Sequence, residues 1–337
     1  MRQRIRRVAP AVGLFLLAPL TGEFLLGNLR IDQLYMLAPF ALLYGSGALL
    51  IRETVRRTGR GWPAILMLAV AYALLEEGPV DQLLWNPSYS EQVTLAGDAY
   101  LPALGTNVSI VQAVLSLHAI WSICVPIAMV ETFVPERRTV PWLGRVGLAV
   151  TVGLFALGVA VWCLGSRMES HFAAGAGQLA GSAVVIGVLV VSAFVIPFRP
   201  RRRIEREAPS PWSVGVLALL LTSLMLALVM FWPTWLSQWV SVAGWCVVAA
   251  TLITLVARWS RYRGWGAAHR LGLAAGALLT YVWVAFPHRP GGADPAGTAD
   301  PVDLLGNTVF ALFAVVLIVS AARVVRRTGE PAAPVSA

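Results

Sequence analysis

The chain has 337 residues, of which 58% are hydrophobic and 13% charged, and its mean hydropathy is +0.72. A soluble domain carries about 25% charged residues. The composition therefore excludes an ordinary soluble globular protein and predicts an all-α, polytopic bundle of transmembrane helices. All 26 basic residues are arginine and the net charge is +9; membrane topology accounts for this excess, and nucleic-acid binding is not expected.

Spans need about 20 mostly apolar residues. Ten stretches qualify: 8–27, 34–51, 63–84, 108–131, 146–165, 178–198, 212–232, 238–257, 268–287 and 304–322. They make a single membrane domain, 1–322, followed by a short cytoplasmic tail, 323–337. The Arg-rich start "MRQRIRR" resembles a signal peptide, but its apolar part is long and lacks a small-residue cleavage site, so an uncleaved anchor is expected. With that end inside, 23 arginines fall on the cytoplasmic side and only Arg30, Arg167 and Arg289 fall outside. This is the asymmetry of the positive-inside rule; it puts both termini in the cytoplasm and the protein in the cell (inner) membrane as a multi-pass component. Every tryptophan except Trp121 and Trp245 falls near a span end, as in an interfacial aromatic belt. Cys124, Cys163 and Cys246 lie in apolar runs and are expected as free thiols.

Among the connections, 85–107 is long, free of arginine and a candidate lid, and 287–303 is a Gly/Pro/Asp-rich linker. The segment 199–211, "RPRRRIEREAPSP", reads as a charged connector. The cytoplasmic arginine clusters suit contact with anionic lipid headgroups; the lipid bilayer is the one partner that the composition itself implies.

The third span breaks the pattern. Thirteen apolar residues, Pro63 to Leu75, are too few to cross, so the helix must continue through Glu76, Glu77 and Asp81. At 1.5 Å per residue, Glu76 lies roughly 20 Å from the cytoplasmic end. A mid-bilayer carboxylate costs on the order of 2.5–3.5 kcal/mol, so such residues face the bundle interior. Gly78-Pro79 predicts a kink there. Depth then matches partners: Glu23, about 22 Å up the first span, and His118, about 15 Å down the fourth, reach the same level. Glu131 lies about 20 Å below His118 and is expected to pair with Arg137, Arg138 or another arginine of the inner face.

A Glu/Glu/Glu/His set from spans one, three and four has three readings. It can activate water or hold a metal, with Zn²⁺ suited to carboxylate and imidazole ligands. It can handle protons or cations in an ion-coupled transporter or permease. It can simply hold helices together as a non-catalytic scaffold. Ser122, one turn after His118, and Asn86, at the end of the third span, are further candidates for the pocket wall.

Glu76-Glu77 in a membrane helix, followed by a mid-span His118 on the next, resembles the CPBP intramembrane metalloproteases, the CAAX-prenyl-protease and bacteriocin-processing group. That family's motifs read Glu-Glu-x-x-x-Arg and Phe-x-x-x-His, followed by a second His. Here Asp81 stands at the Arg position, Val114 at the Phe position, and no second mid-span His follows. The resemblance implies a membrane-embedded, metal-dependent hydrolase. In it Glu76 and Glu77 activate water, His118 positions it or, with Glu77, binds zinc, and Glu23 and Asp81 stand in for the missing polar partners.

Overall fold

The computed structural model describes residues 2–89, 95–197, 202–288 and 300–329, with side chains from residue 8 onward. Ten helical segments lie over the ten apolar stretches. They are α1 (Arg2–Pro19, continued by the π-helical turn Leu20–Phe24), α2 (Ile31–Arg57), α3 (Trp62–Val80), α4 (Val108–Phe133), α5 (Arg145–Ser170), α6 (Ala176–Val195), α7 (Pro211–Met230), α8 (Gln238–Trp259), α9 (Ala267–Val284) and α10 (Pro301–Thr328). Eight of them, α2–α8 and α10, are long and apolar enough to cross a membrane. The apolar part of α1, Val8–Phe24, is shorter, and α9 carries His269 and Arg270 in its first turn. The protein is an all-α polytopic helical bundle.

Burial sorts the helices into a centre and a periphery. In α4, 72% of the most apolar stretch is buried, in α3 61% and in α2 50%, against 11% in α5 and in α6 and 17% in α8 and α10. The outer helices thus show their Val and Leu side chains outward, where a bilayer would meet them, and the polar residues collect inside α1–α4. Burial of backbone polar groups in oil leaves helices as the workable spanning element. Small residues set the close crossings: Gly272 and Gly276 of α9 press against the backbone of α7 around Gly215, a small-xxx-small contact. Trp121, far from any span end, is fully buried and stacks on Tyr281 at 4.5 Å while donating to the carbonyl of Ala277 at 2.7 Å.

The connections are more structured than their composition predicts. Residues 95–107 form a short antiparallel hairpin, β1 (Tyr100–Leu101) with β2 (Thr106–Asn107). Asn107 caps α4 through Ser109 N and donates to Gln238 Oε1 at 2.9 Å. Asp98 accepts from Gln238 N at 2.8 Å and from the Ser237 hydroxyl, bonds that hold its carboxyl below the usual range. The expected lid is therefore tied to the start of α8 over its described part; residues 90–94 of it lie outside the described residues. The charged connector also contains a strand: β3 (Ile204–Glu207) pairs in parallel with β4 (Tyr262–Arg263). Its beginning, 198–201, lies outside the described residues, as do most of the linker 287–303, with Arg289, and the end of the tail. What was expected as tail from 323 continues as helix to Thr328. All three cysteines are free.

At the Arg-rich end, a buried ion network locks α2 to α4 and to the segment after it. Arg52 and Glu53 are fully buried, and Glu131 is 2% exposed. Glu131 takes Arg52 Nε at 3.1 Å and Arg56 at 2.9 and 2.7 Å. Its partners are thus arginines of α2, with Arg137 and Arg138 contributing carbonyls instead. Arg52 Nη2 donates to the carbonyls of Arg137, Arg138 and Val140, and its guanidinium lies 3.3 Å from the Trp142 ring centroid. Glu53 receives the backbone N–H groups of Trp142 and Leu143 at 2.8 and 3.1 Å. Arginines expected to face lipid headgroups at 52 and 56 are buried here in protein.

Candidate functional site: a buried carboxylate–imidazole cluster

Four stretches of π-helix occur among the described residues: Leu20–Phe24, Ala41–Gly45, Glu76–Val80 and Leu117–Cys124. Each carries a member of one polar cluster, respectively Glu23, Tyr44, Glu76 with Glu77, and His118 with Ser122. A π turn adds a residue to the helical turn and re-aims side chains, and such turns concentrate at functional sites. In α3 the cause is local. Pro79 has no N–H to continue the ordinary ladder, so the helix widens over Glu76–Val80, where a kink was expected, and both adjacent carboxylates turn inward.

The imidazole of His118 lies between the two acids. Its Nδ1 is 3.1 Å from Glu76 Oε2 and its Nε2 is 2.5 Å from Glu77 Oε1. The three side chains are 10% exposed or less. Ser122 Oγ stands 3.4 Å from the same Nδ1. The Tyr44 ring meets the His118 ring edge-on at 5.5 Å, and its hydroxyl donates to Glu23 Oε1 at 2.5 Å. Asn28 Nδ2 donates to Glu23 Oε2 at 3.0 Å, and Asn28 Oδ1 in turn faces His288 Nε2 at 2.8 Å. Glu23 is thus joined to the cluster through Tyr44 rather than touching His118.

Asp81 and Asn86 sit outside this inner shell. Asp81 accepts from Leu83 N and from the Tyr89 hydroxyl, and Asn86 Oδ1 accepts from Ser88 N, so both shape the turn that closes α3. The other imidazoles lie elsewhere: His171 ends α5, His269 faces Pro209 O at the start of α9, and His288 meets Asn28.

Tyr44 and Tyr72, which the depth matching passed over, complete the cluster. An aromatic in an apolar run carries no sequence signal of its hydroxyl's partner. The Tyr72 ring meets that of Tyr44 edge-on at 6.3 Å. Tyr72 Oη and Glu77 Oε2 are buried without a hydrogen-bond partner, and Glu76 Oε2 meets the imidazole out of hydrogen-bond alignment. Unpartnered buried polar atoms are rare and call for an explanation; these three belong to side chains of the cluster. Gly47 makes room for the Tyr72 ring, which a Cβ there would overlap. We expect Gly47→Ala to displace the Tyr72 ring and to cost about 1–3 kcal/mol, as overpacking does, with a lowered midpoint of thermal unfolding in detergent as the readout.

The donor types fit zinc, but the arrangement does not. A zinc ion shares one point with all its ligands at about 2 Å, whereas here the ring stands between the acids and turns a nitrogen to each. No group of three His, Cys, Asp or Glu among the described residues is disposed to hold a metal.

Residues 14–328 match the family model described as an uncharacterized membrane protein family. No curated protein and no solved structure matches the chain.

Proposed function

The chain belongs to that membrane protein family, and from this premise we propose that its Glu76–His118–Glu77 cluster is a membrane-embedded acid–base centre that hydrolyses an ester or amide entering from the bilayer. The observation that carries the reading is the imidazole held between two buried carboxylates, with Glu77 Oε2 buried and without a hydrogen-bond partner. In the proposed reaction a water is held at Glu77 Oε2. Glu77 takes a proton from the water, the water oxygen forms a bond to the carbonyl carbon, and the acyl–oxygen or acyl–nitrogen bond breaks. The proton passes through Glu77 to the departing alcohol or amine, leaving a carboxylic acid. His118, held between the two acids, stands beside the carbonyl oxygen where charge develops. No step uses a metal.

Tyr44 and Glu23 position His118 and do not touch the reacting atoms. The line from Glu23 through Asn28 to His288 favours a second reading, proton-coupled translocation, because it carries polar contacts from the cluster to the residues following α9. Burial pushes His288 down to about 4, so at neutral pH it is an uncharged hydrogen-bonding group.

The test uses the full chain in liposomes with a series of quenched-fluorescent acyl esters and transmembrane peptides. Cleavage is expected to fall by about 10²–10⁴-fold in Glu77→Gln, the range for loss of a general base, with the fold retained by circular dichroism. No cleavage of any substrate, together with dissipation of a pH gradient that Glu77→Gln abolishes, establishes translocation in its place.

A further inference from the structure

The strands β3 (Ile204–Glu207) and β4 (Tyr262–Arg263) join two connections of the arginine-rich face into one piece. Ile204 N donates to Arg261 O at 3.0 Å, and Ala208 N donates to Arg263 O at 2.9 Å. Tyr262 is 5% exposed, and the guanidinium of Arg206 lies 5.8 Å from its ring centroid. Just past β4, Trp265 stacks on His269 at 4.8 Å, and His269 Nε2 meets Pro209 O at 2.9 Å, which fixes the piece to the starts of α7 and α9. Over 202–210 and 258–266 it carries six arginines, Arg202, Arg203, Arg206, Arg258, Arg261 and Arg263, against Glu205 and Glu207, an excess of four positive charges. All of the six but Arg261 are exposed. Arg261 donates to the carbonyl of Arg202 at 3.2 and 3.1 Å. Among the described residues no carboxylate forms an ion pair with any of the six.

We infer that this platform binds the anionic phospholipid headgroups of the leaflet it adjoins. Val195 and Ile196, 69% and 42% exposed, stand at the end of α6 before it, and Trp212, 81% exposed, stands in the first turn of α7 after it. Tryptophan at a span end sits at headgroup level, so the strand between these residues is held at the membrane boundary. A basic cluster immediately beside a spanning helix attracts anionic lipid, and the planar fork of a guanidinium matches phosphate oxygens in pairs. Topology requires arginines in the connections of this face, but it does not require two connections to pair as strands. The pairing mounts the charges of both connections on one backbone scaffold, so less freedom is lost on binding than a free loop loses. The arginines of α2 make the contrast: Arg52 and Arg56 are buried and spent on Glu131.

The full chain is reconstituted in phosphatidylcholine bilayers with a trace of spin-labelled phosphatidylglycerol or spin-labelled phosphatidylcholine, and electron paramagnetic resonance reads the fraction of label immobilised at the protein. At low ionic strength phosphatidylglycerol is expected to be preferred by about threefold or more. The preference is expected to shrink toward unity at roughly 1 M salt, where the Debye length is about 3 Å. Arg202→Gln with Arg203→Gln and Arg263→Gln, all at exposed positions where folding is not at stake, is expected to remove most of it. The same loss of charge at the end of α10, Arg323→Gln with Arg326→Gln and Arg327→Gln, is expected to leave more than half. The inference falls if phosphatidylglycerol is not preferred, if the platform variant keeps the preference of the parent, or if the two triple variants lose it equally, since net charge and not the platform then attracts the lipid. It also falls if the parent shows no lipid preference but binds a single-stranded RNA oligonucleotide that the platform variant releases, which makes the partner a nucleic acid.

Discussion

Replacing His118 by alanine is expected to remove the proposed hydrolysis and to destabilise the bundle more than any single apolar truncation beside it. The ring is the shared partner of two buried carboxylates, at 3.1 and 2.5 Å. Taking the shared partner away from buried polar groups costs about 1–3 kcal/mol for each left unsatisfied. Structure and chemistry are then separable by a cycle. Glu76→Gln with Glu77→Gln in the His118→Ala background replaces the orphaned acids by amides and is expected to restore part of the unfolding midpoint, while the proposed hydrolysis stays absent. A coupling energy of about 0.5–3 kcal/mol is the range for residues in one network. If the triple variant is no more stable than His118→Ala, the ring is not the shared partner of the two acids.

The same cluster shows what a sequence of this kind discloses. Hydropathy located the ten helical stretches because oil imposes one secondary structure and one length. Depth matching brought Glu76, Glu77 and His118 to one level because rise per residue is fixed, and the distances agree. It also put Glu23 at that level, but not its mode of attachment, since Tyr44 lies in the second span and its hydroxyl gives no signal in an apolar run. Asp81, expected as a stand-in polar partner, and Asn86, expected at a helix stop lining the pocket, build the turn: a residue after a Gly-Pro break answers to the turn's own hydrogen bonds first. Nor was the orientation of the imidazole legible, because residue type can be read from a sequence while the side of the ring that meets each acid cannot. Four helices widen into π turns, three of them without a signal in the sequence. Only the one at Gly78-Pro79 had a local cause in the sequence.

The second large effect is expected at the opposite end of the bundle, in Glu131→Ala. Reading along the chain offered Arg137 and Arg138 as nearest partners, yet those residues give Arg52 their carbonyls, and Glu131 binds Arg52 and Arg56 across 79 and 75 positions. Removing it leaves two guanidiniums, 0% and 7% exposed, without their common acceptor. A loss of about 3–5 kcal/mol is expected, read as a lowered midpoint of thermal unfolding and as proteolysis of the segment 134–144 that Arg52 and Glu53 hold in place. Glu131→Gln keeps an acceptor oxygen but removes the charge and is expected to fall between the parent and Glu131→Ala. Arg52→Ala should loosen the same segment by a different route, through loss of three carbonyl contacts and the Trp142 stack. The Glu76–His118–Glu77 cluster lies about 20 Å from Glu131 along α4, and the Glu131 carboxylate is already compensated by two guanidiniums. Any Glu131→Ala protein that remains folded should therefore keep the proposed hydrolytic rate within a few-fold, while a parallel loss of rate and stability would mean that the ion network and the Glu76–His118–Glu77 cluster form one cooperative unit.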